Sequence, residues 1–265
     1  MCTKKQSFAN TGLVTISSPN PNLNGTGVMG TVLTAGLSGT NIDQITIKSQ
    51  GNTSEGMIRL FIDNAGSNTL LYKEIYVPAS IQTAVEKSFE FTLKEQITLN
   101  PGYTLKASTQ NADTFNISAN GSNWFQCDCV NGSDCDDLRN FARTEIKQVN
   151  TGNSNLNGTG PTVTLFTAQS GALNGGGVIE AINIKSTGNT SEGMIRLFID
   201  NGTTKFLITE MQIPATTQSS VQPAFRSMAT LQIYLQPGYS LVASTQVSDT
   251  FNILVKGHEV INCAC

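Results

Sequence analysis

The sequence states one unit twice. Gly51-Asn-Thr-Ser-Glu-Gly-Met-Ile-Arg-Leu-Phe-Ile-Asp-Asn64 recurs unchanged as Gly188 to Asn201. Asn22-Leu-Asn-Gly-Thr-Gly27 returns at Asn155 to Gly160, Pro101-Gly-Tyr103 at Pro237 to Tyr239, Ala107-Ser-Thr-Gln110 at Ala243 to Gln246, and Asp113-Thr-Phe-Asn-Ile117 at Asp249 to Ile253. The offset is 133 at Asn22, 137 at Gly51 and 136 at Pro101. A period of that size is one independent domain, far longer than the repeats of solenoids and propellers. The chain is thereby its own two-sequence comparison: chemistry essential to the unit should stand at matched positions in both copies.

Within each copy the hydrophobic pattern has period two. In Met57-Ile-Arg-Leu-Phe-Ile-Asp63, Ile58, Leu60 and Ile62 share one face and Arg59, Phe61 and Asp63 the other, as in a half-buried strand. Similar runs at Leu13–Ile16, Gly30–Ala35, Ile45–Lys48, Leu70–Val77, Phe89–Leu93, Tyr103–Ala107 and Thr114–Ser118 are separated by turn residues. Ala79–Lys87 has the weakest pattern and has room for a helical turn. About eight short strands per copy predict an all-β chain of two tandem homologous β-sandwich domains, jelly-roll-like, over residues 1–131 and 132–265. The polar, turn-rich segment Cys127–Asp137 marks the boundary.

Charged residues make up only 13% of the chain, and the net charge is -3. Sixteen scattered Lys and Arg give no electrostatic footprint for nucleic acid. The first ten residues lack the apolar stretch of a signal peptide, and no segment approaches the ~18 apolar residues of a membrane span. The expectation is a protein soluble when made, in a cytoplasm, with neither nucleic acid nor membrane as partner.

The six cysteines follow the repeat. Cys2 matches Cys135, while Cys127 and Cys129 match Cys263 and Cys265. Residues i and i+2 of a strand lie roughly 6.6 Å apart on one side, wide for a mutual disulfide but suited to meeting a third thiol. One disulfide per copy, a thiolate metal site and plain packing all remain open. Zinc asks for four ligands; His258, the one histidine, has Ser122 as its counterpart. Neither copy of a Ser-His-Asp or Cys-His arrangement is therefore matched by the other. Gly25-Thr-Gly-Val-Met-Gly30 leads into a strand rather than a helix, and Val163 replaces its third glycine, so it is no nucleotide loop. The duplicated Glu55, Asp63 and Asp113 offer carboxylates without a partnered acid and base. No catalytic residue, cofactor or metal set is expected. Arg59, Phe61 and Asp63, with Arg196, Phe198 and Asp200, are the candidate interface, since Arg and aromatics are enriched where proteins meet; packing in a second layer is the competing reading.

The ordered motifs Asn-Leu-Asn-Gly-Thr-Gly, Ile-X-Ile-Lys, Gly-Met-Ile-Arg-Leu-Phe-Ile-Asp, Pro-Gly-Tyr-X-Leu-X-Ala-Ser-Thr and Asp-Thr-Phe-Asn-Ile resemble a family of small β-rich virion structural proteins of tailed bacteriophages. The resemblance covers nearly all of each copy; the second copy and the paired cysteine elements depart from the family's single-domain pattern. It implies a non-enzymatic virion component made in the host bacterial cytoplasm, a capsid decoration or auxiliary protein binding the assembled shell. Its partners would be the major capsid protein or other virion proteins, with self-association and a host-surface glycan as further classes. The alternatives are a tail, collar or head-fibre component, for which no heptad stalk is present, and a carbohydrate-binding module, for which the single Trp124 lies outside the duplicated motifs.

Overall fold

The computed structural model describes residues 8–37, 39–66, 68–83, 85–123, 139–170 and 174–261. The expected boundary at 131/132, all six cysteines and Trp124 lie outside them. The described strands fall into two compact units, each taken by itself below.

The first unit holds β1 (Phe8–Ile16), β2 (Gly30–Thr34), β3 (Thr40–Ser49), β4 (Gly56–Asp63), β5 (Thr69–Val77), β6 (Glu90–Leu93), β7 (Ile97–Leu99), β8 (Thr104–Thr109) and β9 (Phe115–Asn123). One sheet has the order β1-β9-β3-β6, with β7 also on β3; the other is β2-β8-β4-β5. The second unit holds β10 (Arg139–Val149), β11 (Val163–Thr167), β12 (Asn174–Ser186), β13 (Gly193–Asp200), β14 (Lys205–Ile213), β15 (Arg226–Leu235), β16 (Ser240–Thr245) and β17 (Phe251–Ile261). Its sheets run β10-β17-β12-β15 and β11-β16-β13-β14. With β6 and β7 counted as one interrupted strand, both units have the same order, first-eighth-third-sixth against second-seventh-fourth-fifth. All pairs are antiparallel. That is the jelly roll, the architecture expected from the strand count, now with its strand order.

Alternation builds the core as the sequence predicts. Ile58, Leu60 and Ile62 are fully buried, as are Ile45 and Ile47 of the other sheet. In the second unit Ile195 and Leu197 pack in one cluster with Ile182, Ile184, Phe251 and Ile253. Two details differ from expectation. No helix forms among the described residues, those within the Ala79–Lys87 segment included. β7 was not foreseen, because three residues after Lys94-Glu95-Gln96 are too few to show an alternation.

The segment between β1 and β2, which contains Asn22–Gly27, crosses the sheet β2-β8-β4-β5. Pro19 bridges Thr109 of β8 at one end. Gly25 passes so close to β5 that a Cβ there would sit 1.9 Å from the Thr69 carbonyl oxygen. Gly25 is also left-handed, at φ 78°. Gly158, its counterpart, has φ 74° and would meet the Lys205 Cβ at 2.4 Å. The glycines repeat because this strap lies flat on the sheet. Gly66 is left-handed as well, but a Cβ there meets nothing within 4 Å. Gly25→Ala should therefore cost about 1–3 kcal/mol from conformation plus the clash, and Gly66→Ala the conformational part alone. Urea unfolding of the two variants checks the order; equal losses would show that the strap does not press on β5.

Candidate functional site

The second stripe of β4, expected as an exposed patch, is covered. Arg59, Phe61 and Asp63 are buried, as are Arg196 and Phe198 on β13, while Asp200 is half-buried. Strand alternation does put all three residues of each copy on one face, as expected. Of the two readings weighed for this stripe, packing beneath a second layer describes Arg59, Phe61, Asp63, Arg196 and Phe198, and the surface-patch reading is corrected for them; Asp200 keeps part of its surface in solvent.

A buried asparagine organises the strap. Asn20 donates from Nδ2 to the carbonyls of Thr26 and Val28 at 2.9 Å each, and its Oδ1 accepts from the Asn22 N–H at 3.0 Å. Its own N–H bonds the Thr109 carbonyl at 2.7 Å. Asn153 repeats all of this: 2.8 Å to Thr159 and Pro161, 3.0 Å from Asn155, and 2.7 Å to Thr245. The buried arginine then fixes the strap from below. Arg59 Nη1 donates to the Asn20 carbonyl at 3.3 Å, Nε to Glu74 on β5 at 3.1 Å, and Nη2 to Gln110 at 3.3 Å. Arg196 donates to the Asn153 carbonyl at 3.2 Å and to Glu210 on β14 at 2.8 Å. Burial lowers the pKa of Arg59 from its ordinary value while Glu74 pulls it back up; a guanidinium stays charged regardless.

The duplicated carboxylates have structural partners too. Asp63 accepts from the Gly66 N–H at 2.6 Å, Thr69 Oγ1 at 3.0 Å and Lys106 Nζ at 2.5 Å. Burial by itself pushes its carboxyl up, but these three bonds and the Lys106 charge outweigh it and hold the pKa below the ordinary value. Asp113 takes the Ser54 N–H at 2.7 Å and Asp249 the Ser191 N–H at 2.6 Å, each tying down the turn before β4 or β13. Glu55 accepts from Tyr76. Among the described residues no group of three or more His, Cys, Asp and Glu could hold a metal ion, and no helix is long and apolar enough to cross a membrane.

At the rim and at His258 the two units carry different groups. In the second, Arg143 pairs with the buried Glu259, donates to the Thr167 carbonyl at 2.9 Å and lies 4.6 Å over the Phe166 ring. Glu259 also accepts the Gln169 N–H at 3.1 Å. In the first unit the same strand positions hold Asn10 and Asn123, bonded at 2.8 Å, with Thr40 donating to Asn123 at 2.6 Å. His258 contacts Glu180 at 2.9 Å, and its counterpart is Ser122. Sequence reasoning missed Asn20 and Asn153 as key residues. The signal was available in the repeated Asn-Leu-Asn-Gly-Thr-Gly, whose glycines announce close backbone approach.

No protein-family model and no curated protein matches the chain. Among solved structures it is similar to the STIV MCP, a viral capsid protein, at 11% identity and a TM-score of 0.37, over 95% of this chain and 97% of that one. It is similar to the atomic structure of Sulfolobus Turreted Icosahedral Virus at 11% identity and 0.33, over 97% and 89%. It is also similar to the CBM22-1-CBM22-2 tandem domain from Paenibacillus barcinonensis Xyn10C at 9% identity and 0.26, over 99% and 93%.

Two predictions follow from the buried arginines and Asp63. In the Arg59–Glu74 pair the side chains are 1% and 0% exposed, whereas Glu210 beside Arg196 is 39% exposed. Arg59→Met takes the guanidinium away from a buried carboxylate and should cost about 3–5 kcal/mol; Arg196→Met should cost less, because Glu210 reaches water. Equal losses on chemical denaturation would contradict the difference in burial. Asp63, with its pKa lowered in the fold, contributes stability that is complete above the unfolded value of about 3.9 and is lost as pH falls through the folded value. Asp63→Asn should flatten that part of the acid limb; an unchanged acid limb would exclude Asp63 as its source.

Proposed function

We propose that this chain is a non-enzymatic structural protein of a tailed-bacteriophage virion, a capsid decoration or auxiliary protein that binds the assembled shell. The observation that carries the reading is what the two units keep and what they let go. Both keep the Asn–Arg strap, the aspartate-tied turn and the strand order. They exchange Arg143–Glu259 for Asn10–Asn123 and His258 for Ser122, so these charged and basic groups are not held in common. A reaction performed by the unit would have held its chemistry fixed; a binding scaffold needs only its shape. The ordered motifs that resemble virion proteins support the same reading.

With Arg59 and Phe61 buried, the contact surface moves outward to the straps. Asn22, Asn24 and Thr26 are exposed in the first, and Asn155, Asn157 and Thr159 in the second. Two linked copies of one neutral surface on a regular lattice gain effective concentration without any new contact. The major capsid protein or another virion protein is the partner. The test is binding of the purified protein to virions or emptied shells, with mass spectrometry of purified particles. Co-sedimentation with shells and presence in the particle are expected. Absence from particles, or turnover of a polysaccharide by the purified protein, would overturn the reading.

A further inference from the structure

β15 ends its sheet, and among the described residues no strand pairs with its outer edge. It is ten residues long, contains no proline, and carries no charge after Arg226. A long, uncharged sheet edge is a template for another strand, and proteins commonly blunt such edges by interrupting them or by turning charges inward. The first unit does both at the matched place. There β6 stops at Leu93, β7 begins at Ile97, and Lys94-Glu95-Gln96 stands between them. Glu95 accepts from the Tyr72 hydroxyl at 2.5 Å and pairs with Lys73, clasping this edge to β5.

The second unit has lost every part of that clasp. Thr230 and Leu231 replace Lys94 and Glu95, and Ile208 and Thr209 replace Tyr72 and Lys73. β15 accordingly runs on, through a β-bulge in which Leu231 and Gln232 face the single Glu180 between the Ile179–Ile233 and Ala181–Thr230 pairs. Its two large exposed apolar side chains are Met228, 59% exposed, and Tyr234, 75% exposed. They pair with Asn183 and Val178 of β12, and both stand on the face turned away from the core.

Met228 and Tyr234 are also placed symmetrically, three residues to either side of Leu231. A two-fold axis through Leu231 that joins two antiparallel β15 strands lays each Met228 against the Tyr234 of the other copy, a favourable thioether–aromatic contact. It sets Thr230 opposite Gln232 and sends the two Arg226 side chains, the only charges on the strand, to opposite ends of the ribbon. The interface is isologous, as a two-fold dimer requires. We propose that the chain self-associates through this edge, β15 on β15, to form a dimer with a sheet continuous across the two-fold. The inference does not rest on the virion reading and survives its failure.

Sedimentation velocity on the full chain, with reductant present so that cysteine-linked species are not counted, tests it. The wild type should show a concentration-dependent monomer–dimer equilibrium. Thr230→Lys, which restores the lysine of the first unit on an exposed edge position, should weaken the dimer about tenfold or more, a shift of ~1.4 kcal/mol. Met228→Glu should do the same, and Lys94→Thr in the first unit should leave the equilibrium unchanged. Thermal unfolding of each variant verifies that it is folded. A wild type that stays monomeric throughout, or a dimer that both Thr230→Lys and Met228→Glu leave intact, overturns the proposal.

Discussion

A buried guanidinium in each unit holds the jelly roll's second face together. A charge taken out of water is costly unless it is paired and hydrogen-bonded. Arg59 therefore requires Glu74 on the neighbouring strand and the Asn20 carbonyl above it, and Arg196 requires Glu210 and Asn153. Meeting that requirement fixes much else. The strap must cross the sheet at that point, an asparagine must fold its two ends together, and glycine must stand where the backbone touches the edge strand. Phe61 and Phe198 are dry because the face they share with the arginines has a cover.

The two units solve one local problem in different ways. At the rim where the first and last strands meet the loop after the second, the first unit uses Asn10, Asn123 and Thr40, all neutral. The second uses Arg143 and Glu259, with the guanidinium stacked over Phe166. Either set satisfies the buried polar groups, so the fold tolerates both. Freedom of this kind is expected of structural polar groups and not of a reaction centre. The same freedom has a different outcome at the edge, where the Lys73–Glu95 clasp of the first unit has no counterpart and one strand, β15, spans the place of β6 and β7. The two units thus share one kind of core and differ at their rims.

Period-two alternation made the strand faces legible: Ile58, Leu60 and Ile62 were assigned to the core from sequence and lie there. The turns were legible from Gly, Asn and Pro, and the repeat from identity alone. The candidate site was legible only in part. Alternation says which residues share a face, and so it grouped Arg59, Phe61 and Asp63 correctly. It does not say what lies above that face, and the cover is a loop some forty residues earlier in the chain. Asn20 was hidden for a related reason. Its partners Thr26 and Val28 are near in sequence, but its burial depends on Arg59 and Thr109, which are not.

The sequence by itself determined that this is an all-β chain of two like units, which residues form each core, and where the turns fall. These are consequences of local periodicity and of steric limits on single residues. The tertiary structure decided the jelly-roll order, the burial of the arginine stripe beneath the strap, and the contrast between a clasped edge and an open one. Those depend on contacts between strands and loops far apart in the chain. Their energies come from desolvation and hydrogen-bond partners that exist only once the sheets have formed.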